Sequence, residues 1–332
     1  MSPAAGVDVT AALAAGPPRL ELAVLPTPLH LAPRLSEALG AEVWFKRDDL
    51  TGLGLGGNKV RTLEYLLADA QAQGCDCLVT GAGPQSNWTM LAALASIRCG
   101  LDPFVVCYGD PTPDQGNLLL HRRLGVTISW TGDPERPSVD GAMQALADRL
   151  RGQGRLPYVV PRGGATPLGS LGYLRASVEL AGQLADAGVA PAQLWLATGS
   201  GGTTAGLVAG SALLATAYRV VGVTVSRPVP AIVEQVTGLA TAAAGLLGLP
   251  LDVTADVRDG WIGPGYGVSS PAGEQAADLV VRTEGVFLDP VFGAKAMAAL
   301  VDAARSGALT GPVVYLVSGG APTLFTSTEA GL

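Results

Sequence analysis

The sequence predicts an α/β protein with parallel sheets covered by helices on both faces, arranged in about two domains. Three observations point there. Short β-rich runs alternate with longer amphipathic ones along most of the chain, and strand–helix alternation builds parallel sheets. Hydrophobic residues make up 48% of the 332 residues, against 15% charged and 5% aromatic, enough apolar material for a large core. At roughly 150 residues per domain, the length suggests two domains.

Taken in order, the expected strands are Val43–Lys46, Cys77–Thr80, Pro103–Tyr108, Val126–Trp130, Tyr158–Pro161, Leu194–Ala197, Val220–Val225 and Val313–Val317. Between them the 3.6-residue period predicts helices over Val60–Gln73, Asn87–Arg98, Asp114–Leu124 and Val139–Arg151. No linker rich in Pro, Gly and Ser splits the chain, and no internal repeat is present; the PRGG run at Pro161–Gly164 is the best boundary. The mean hydropathy of +0.35 raises the question of a membrane span. The longest charge-free stretch, Val189 to Tyr218, carries Gln193, Thr198, Ser200, Thr203 and Thr204, so it reads as buried core. Ligand sites in such folds lie at the carboxyl ends of the strands.

Charge and rare residues narrow the chemistry. A net charge of −7 with no basic cluster speaks against a nucleic-acid partner. Met1 to Pro18 lacks the basic residue and apolar run of a signal peptide, so no export is expected. Cys75, Cys77, Cys99 and Cys107 cluster in one segment, which suits a reduced, cytoplasmic protein with buried thiols better than a disulfide framework; zinc at Cys75 and Cys77 lacks a second ligand pair. His30 and His121 are the only histidines, which restricts triads and multi-histidine metal sites, and no metal is expected. Only three of the 21 basic residues are lysine: Lys46, Lys59 and Lys295. Where bare positive charge suffices this chain uses Arg, so each Lys is a candidate for a task needing a primary amine. Lys46, in a WFKRDD run, and Lys295, opening an amphipathic helix, are expected to be solvated or snorkelling.

Two motifs carry chemistry. Gly52 to Lys59 (GLGLGGNK) contains G-x-G-x-x-G, but polar RDDLT stands where a dinucleotide fingerprint needs a buried strand, and Val60 stands where a P-loop needs Ser or Thr. A lysine in the first turn of a helix is opposed by the dipole. Its position after glycines that permit close backbone approach suggests an amine used covalently. The second motif, Ala197 to Gly206 (ATGSGGTTAG), follows a strand and opens a helix, an anion cradle of N–H and hydroxyl groups without Lys or Arg in the turn. An imine-forming lysine with a separate phosphate cup is the pair that pyridoxal phosphate requires.

The runs GGNKVRTLEYLL, GPQSNWT, PRGGATPLGSLGYLRA, ATGSGGTTAGLVAG, GPGYG, EGVFLDPVFGAKAMAAL and VSGGAPTLF resemble, in the same order from about Pro26 to Phe325, the fold-type-II pyridoxal-phosphate enzymes of the D-cysteine desulfhydrase and 1-aminocyclopropane-1-carboxylate deaminase family. The resemblance implies a tryptophan synthase β-subunit-like fold of two three-layer α/β domains with the cofactor in the cleft between them. Residues 1–58 and 161–332 would form the larger, cofactor-binding domain, and 59–160 the smaller one with the substrate-carboxylate loop. It implies further that Lys59 bears the cofactor and serves as base at the substrate α-carbon, that Asn87 bonds the cofactor's phenolic oxygen, and that Ser86 and nearby amides hold the substrate carboxylate. Gly199, Ser200, Gly201, Gly202 and Thr203 would hold the phosphate, Tyr266 would lie near the ring, and Ser318 would face the pyridine nitrogen. A homodimer acting on a small amino acid is implied too.

The chain also departs from the family. Phe292 replaces a tyrosine in DPVYxGK, Gly293 replaces the deaminase glutamate, and Ser318 replaces the leucine expected in deaminases, so ring opening is disfavoured. Trp88 stands where Gln or His is usual and Met90 where Arg is common; either the substrate pocket is reshaped around Trp88 and Phe292 or Trp88 packs inward. Tyr173 fits either core or cofactor-adjacent placement. The expectation is a lyase that deprotonates Cα and eliminates or replaces a β-substituent. A cyclopropane-carboxylate deaminase is the second reading, and a cofactor-carrying binding protein with little catalysis the third.

Overall fold

The computed structural model describes residues 8–326. A six-stranded sheet is built from β1 (Leu29–Leu31), β2 (Val43–Arg47), β7 (Gln193–Thr198), β8 (Arg219–Thr224), β9 (Asp256–Arg258) and β10 (Val313–Val317), in the order β1-β2-β10-β7-β8-β9. Only the β1–β2 pair is antiparallel. A four-stranded parallel sheet, in the order β5-β4-β3-β6, is built from β3 (Cys77–Ala82), β4 (Asp102–Cys107), β5 (Thr127–Trp130) and β6 (Pro157–Val159). Central strands such as β10 (VVYLV) are buried at every position, as unbroken apolar strands covered on both faces must be. The expected strands all form. The two missed, β1 and β9, are three-residue edge strands too short to show a period.

The chain leaves the larger sheet after β2, forms α3 (Lys59–Ala72), α4 (Asn87–Arg98), α5 (Gly116–Arg123) and α6 (Ser138–Gly152) around the smaller one, and returns through a 3₁₀ turn at Arg162–Gly164 into α7 (Pro167–Ala187). Helix α3 packs against α7 as well as α4, so it leans on both units. The charge-free stretch becomes β7 and α8 (Gly202–Leu213). Helix α8 lies so close to α7 that a Cβ on Gly206 would stand 2.2 Å from the Ser170 carbonyl oxygen, and one on Gly210 2.3 Å from Ser177 Oγ. Those glycines are what let the cradle helix seat against the core. No helix among the described residues is long and apolar enough to cross a membrane. The four cysteines are free, and burial pushes Cys77 and Cys107 up to about 12.

Two expectations are corrected. Lys46 and Lys295 are not solvated; they are 2% and 0% exposed. The Lys46 ammonium pairs with Glu179 and donates to the Thr27 carbonyl and Gln183. Lys295 sits on the buried face of α11 (Gly293–Arg305), where its ammonium donates to the carbonyls of Ile262 and Gly265 and pins that loop. The local apolar pattern hid both, because the partners lie far away in sequence.

Lys46 belongs to a larger buried network. Arg61 Nε donates to Asp48 Oδ2 at 2.8 Å, and the same guanidinium reaches both oxygens of Glu179 at 2.8 and 2.9 Å. Thr27 and Tyr173 donate their hydroxyls to Asp48 at 2.6 and 2.5 Å. Tyr173 is therefore a core residue. Burial by itself raises the Asp48 carboxyl, but Arg61, Lys46 and the Thr27 hydroxyl together outweigh it and hold that carboxyl below the usual range. Asp48→Ala leaves the buried cations Arg61 and Lys46 to share the single carboxylate of Glu179, so we expect a loss of about 3–5 kcal/mol in urea unfolding. Unchanged stability would show the network to be dispensable.

Candidate active site

The carboxyl ends of β3, β4, β7 and β10 converge on one cavity that opens to solvent, where ligand sites of parallel α/β sheets lie. The structure brings Lys59, Ser86, Asn87, Trp88, Gly199, Ser200, Gly201, Thr203, Tyr266, Phe292 and Ser318 to its walls. Gly202 stands one step behind, as the first residue of α8.

Lys59 opens α3 after a loop that only glycine permits: a Cβ on Gly56, at φ +71°, would lie 1.9 Å from the Asp49 carbonyl oxygen. The loop is tied down from two sides. Asn58 N donates to the Ser318 carbonyl at 2.9 Å, and Asn58 Nδ2 to Thr203 Oγ1 at 3.1 Å. The Lys59 amine itself has neither carboxylate nor hydrogen-bond partner among the described residues, and burial alone pulls it down to about 8. Such an amine is neutral, and so nucleophilic, in a far larger fraction near physiological pH than an ordinary lysine.

Across the cavity, the β7–α8 turn offers the N–H groups of Gly202, Thr203 and Thr204, which have no intrahelical acceptor by their position. Gly201, at φ +90°, turns the chain into the helix. Gln235 Nε2 donates to the Ser200 carbonyl at 3.0 Å and fixes the turn from α9 (Val229–Gly245). The Ser86 hydroxyl caps α4 by accepting from Thr89 N at 3.3 Å, which leaves its proton and the first N–H groups of α4 to meet a second anion. Asn117 donates to Asn87 Oδ1 at 2.8 Å and thereby turns the Asn87 amide so that its N–H₂ is the free end. The Ser318 hydroxyl has no partner among the described residues.

Phe292 packs its ring against Gly199, where a Cβ would approach it to 3.0 Å, and against the Tyr266 ring at 6.0 Å, edge to face. Trp88 is 3% exposed, donates to Thr80 Oγ1 at 2.8 Å, and lies against Gly164 so closely that a Cβ there would be 2.5 Å away. It is both core and cavity wall.

Sequence reasoning missed Tyr108, Arg136, Arg162 and Arg227, all of which line the cavity. Arginine is this chain's ordinary cation, so none of the three stood out. The cradle, free of basic residues in its own turn, thus has Arg227 close by: that guanidinium donates to Gln235. Also missed was Asp289, whose carboxylate accepts from the N–H groups of Val291, Phe292 and Gly293 at 2.7–3.1 Å and which burial pushes up to about 6. It shapes the start of α11 behind Phe292.

An unpartnered amine facing an anion cradle, with a free amide and a free hydroxyl between, fits an aldehyde cofactor bearing a phosphate. A family model described as pyridoxal-phosphate dependent enzyme matches residues 20–319. D-cysteine desulfhydrases of Salmonella choleraesuis and Salmonella paratyphi C are each 40% identical over 317 residues, covering 93% of this chain and 95% of theirs. A solved ACC deaminase homologue superposes with a TM-score of 0.91 at 38% identity, covering 96% of this chain and 97% of its own. The processed threonine deaminase isoform 2 of Solanum lycopersicum, at 19% identity and a TM-score of 0.66 over 96% of this chain and 86% of its own, shares the fold.

The lowered Lys59 amine has a pH consequence. In cofactor-free protein, imine formation with added pyridoxal phosphate accelerates as the pH rises through about 8 and levels above it, because only the neutral amine attacks. Stopped-flow absorbance checks this; a rate still climbing towards the ordinary lysine value near 10.4 would show the amine to be unperturbed.

Proposed function

The chain belongs to the family of pyridoxal-phosphate dependent enzymes, and from that premise we propose a lyase that deprotonates a small amino acid at Cα and expels its β-substituent, giving a keto acid and ammonia, as a D-cysteine desulfhydrase does. The observation that carries the reading is the partnerless amine of Lys59 across one cavity from the Gly199–Thr203 cradle.

Lys59 would hold the cofactor covalently, with Gly199, Ser200, Gly201, Gly202 and Thr203 at its phosphate, Asn87 at its phenolic oxygen and Ser318 at its ring nitrogen. When bound, pyridoxal phosphate supplies an electron sink for the pair left at Cα. The remaining work falls to the protein. Ser86 and the start of α4 bind the substrate carboxylate through N–H groups and a hydroxyl, which fixes the direction of the Cα–H bond. The Lys59 amine would take the Cα proton, and its lowered basicity enlarges the share of the neutral form able to do so. Tyr266, whose phenol burial keeps protonated well above neutral pH, offers a proton to the departing group. Ser318, a neutral hydroxyl where a carboxylate would stabilise a protonated ring, favours prompt loss of the β-substituent over transamination. Trp88 and Phe292 bound the substrate space, the first as a rigid wall and the second as an apolar surface beside the cradle.

The ring-opening deaminase reading needs an acid at Gly293, and a Cβ there would already lie 3.1 Å from the buried Asp289 carboxylate. This chain has no acid there, and no carboxylate among the described residues lines the cavity. We place the two domains at 1–58 with 161–332 and at 59–160, flanking the cofactor, in a cytoplasmic homodimer.

Lys59→Ala should cut keto-acid release from β-chloroalanine by at least ~10²–10⁴-fold, the usual contribution of a positioned base. Lys295→Ala should instead loosen the 262–265 loop and keep the visible absorbance of bound cofactor. Both are read by coupled assay and absorbance spectrum. Full activity in Lys59→Ala, or cofactor loss in Lys295→Ala alone, would overturn the choice of amine.

A further inference from the structure

Four cations and no carboxylate line the cavity. Besides Lys59 they are arginines from three separate segments, and their partners differ. Arg162 is gripped by both oxygens of Asp140 at 3.0 and 2.8 Å. Arg227 is tied through Gln235 to the Ser200 carbonyl, so it adjoins the cradle, where a bound phosphate would supply its counter-charge. Arg136, half-buried in the segment before α6, has neither an ion-pair nor a hydrogen-bond partner among the described residues.

Its guanidinium carbon stands 3.8 Å from the centroid of the Tyr266 ring. A guanidinium stacked on an aromatic face is held in place while its N–H edge stays free, and that planar fork suits oxyanions. The neighbourhood spans the substrate space. On one side Tyr266 leads through Phe292 to Gly199 of the cradle. On the other, the Tyr108 hydroxyl stands against Gly83, where a Cβ would be 2.7 Å away, at the turn that leads to Ser86. Arg136 acts electrostatically on both phenols, opposing the rise that burial causes. The substrate α-carboxylate already has the N-terminus of α4, so the free edge of Arg136 has no anion to meet.

We propose that Arg136, with Arg162 nearby, is a subsite for a second oxyanion, so that the amino acid acted on carries a sulfonate or phosphate as its β-substituent. This rests on the lyase reading above. The chemistry balances without an added oxidant or reductant. Lys59 takes the Cα proton, the Cβ–S or Cβ–O bond breaks, and sulfite or phosphate leaves with the bonding pair. The enamine that remains takes up one water and yields pyruvate and ammonia.

The test compares cysteate and O-phosphoserine with β-chloroalanine, each in both enantiomers, on the holoenzyme, Arg136→Ala and Arg136→Lys. The wild type should favour an oxyanion substrate in kcat/KM. Arg136→Ala should reduce that preference by about 10- to 100-fold, mainly through KM, the usual worth of a hydrogen bond to a charged group, and Arg136→Lys should recover part of it. As a readout independent of turnover, 3-sulfopropanoate should raise the holoenzyme Tm more than equimolar propanoate, and the difference should vanish in Arg136→Ala. Equal weakening of both carboxylates by Arg136→Ala would give Arg136 to the α-carboxylate and overturn the subsite. So would turnover of β-chloroalanine without preference for an oxyanion, while the lyase reading stood. Failure of the wild type to turn over any of the three would remove the lyase reading and the subsite with it.

Discussion

Arg61, sealed from solvent two residues after Lys59, is shared by the carboxylates of Asp48 and Glu179, and the geometry of the cavity depends on that arrangement. Burying two acids and two bases is costly in itself, and paired charges of this kind often add little net stability. What the network does is specify position. It joins the end of β2, the first turn of α3 and the middle of α7, so the segment bearing Lys59 has one place to be. A reactive amine must be free of partners, and so it cannot be located by its own bonds. Its neighbours have to do that for it.

The three lysines make the same point by contrast. Lys46 and Lys295 are buried and fully occupied, the first by Glu179, Gln183 and a carbonyl, the second by two carbonyls. Lys59, half-buried at the cavity wall, is partly desolvated without compensation, and nothing opposes the fall that this causes. A chain whose cations are nearly all arginine thus holds two of its three lysines at compact interior sites and leaves the third without a partner among the described residues.

Much of this was legible in the sequence because it is local. Strand and helix periods, the Gly56–Lys59 loop and the Thr198–Thr203 turn each declare themselves within a dozen residues. Lys46 and Lys295 were misread as solvated because what satisfies them, Glu179 for one and the carbonyls of the 262–265 loop for the other, lies far along the chain. The cavity arginines were invisible for a related reason. Arg136, Arg162 and Arg227 follow three unrelated elements in a chain rich in arginine, and only the closure of the two sheets on one another brings them together. Trp88 shows a third limit: its type and position announced a change, but an indole that serves at once as core and as wall has no signature that separates the two roles.

The two sides of the cavity are built to different degrees of rigidity. The cradle is seated on close helix packing, where Gly206 and Gly210 bring α8 onto α7, and it is further fixed by Gln235 and by the Ser200 hydroxyl on the Gly163 carbonyl. The opposite wall, Ser86 to Trp88 and Arg136, belongs to the smaller sheet and its helices. It is held to the cradle side chiefly through α3, the Arg162–Gly164 turn and the Asn58–Thr203 bond. A phosphate anchored at the rigid wall and an amino acid held by its carboxylate at the other would bridge the two, and anions at both ends would screen the repulsion that Arg136 and Arg162 exert on Arg227.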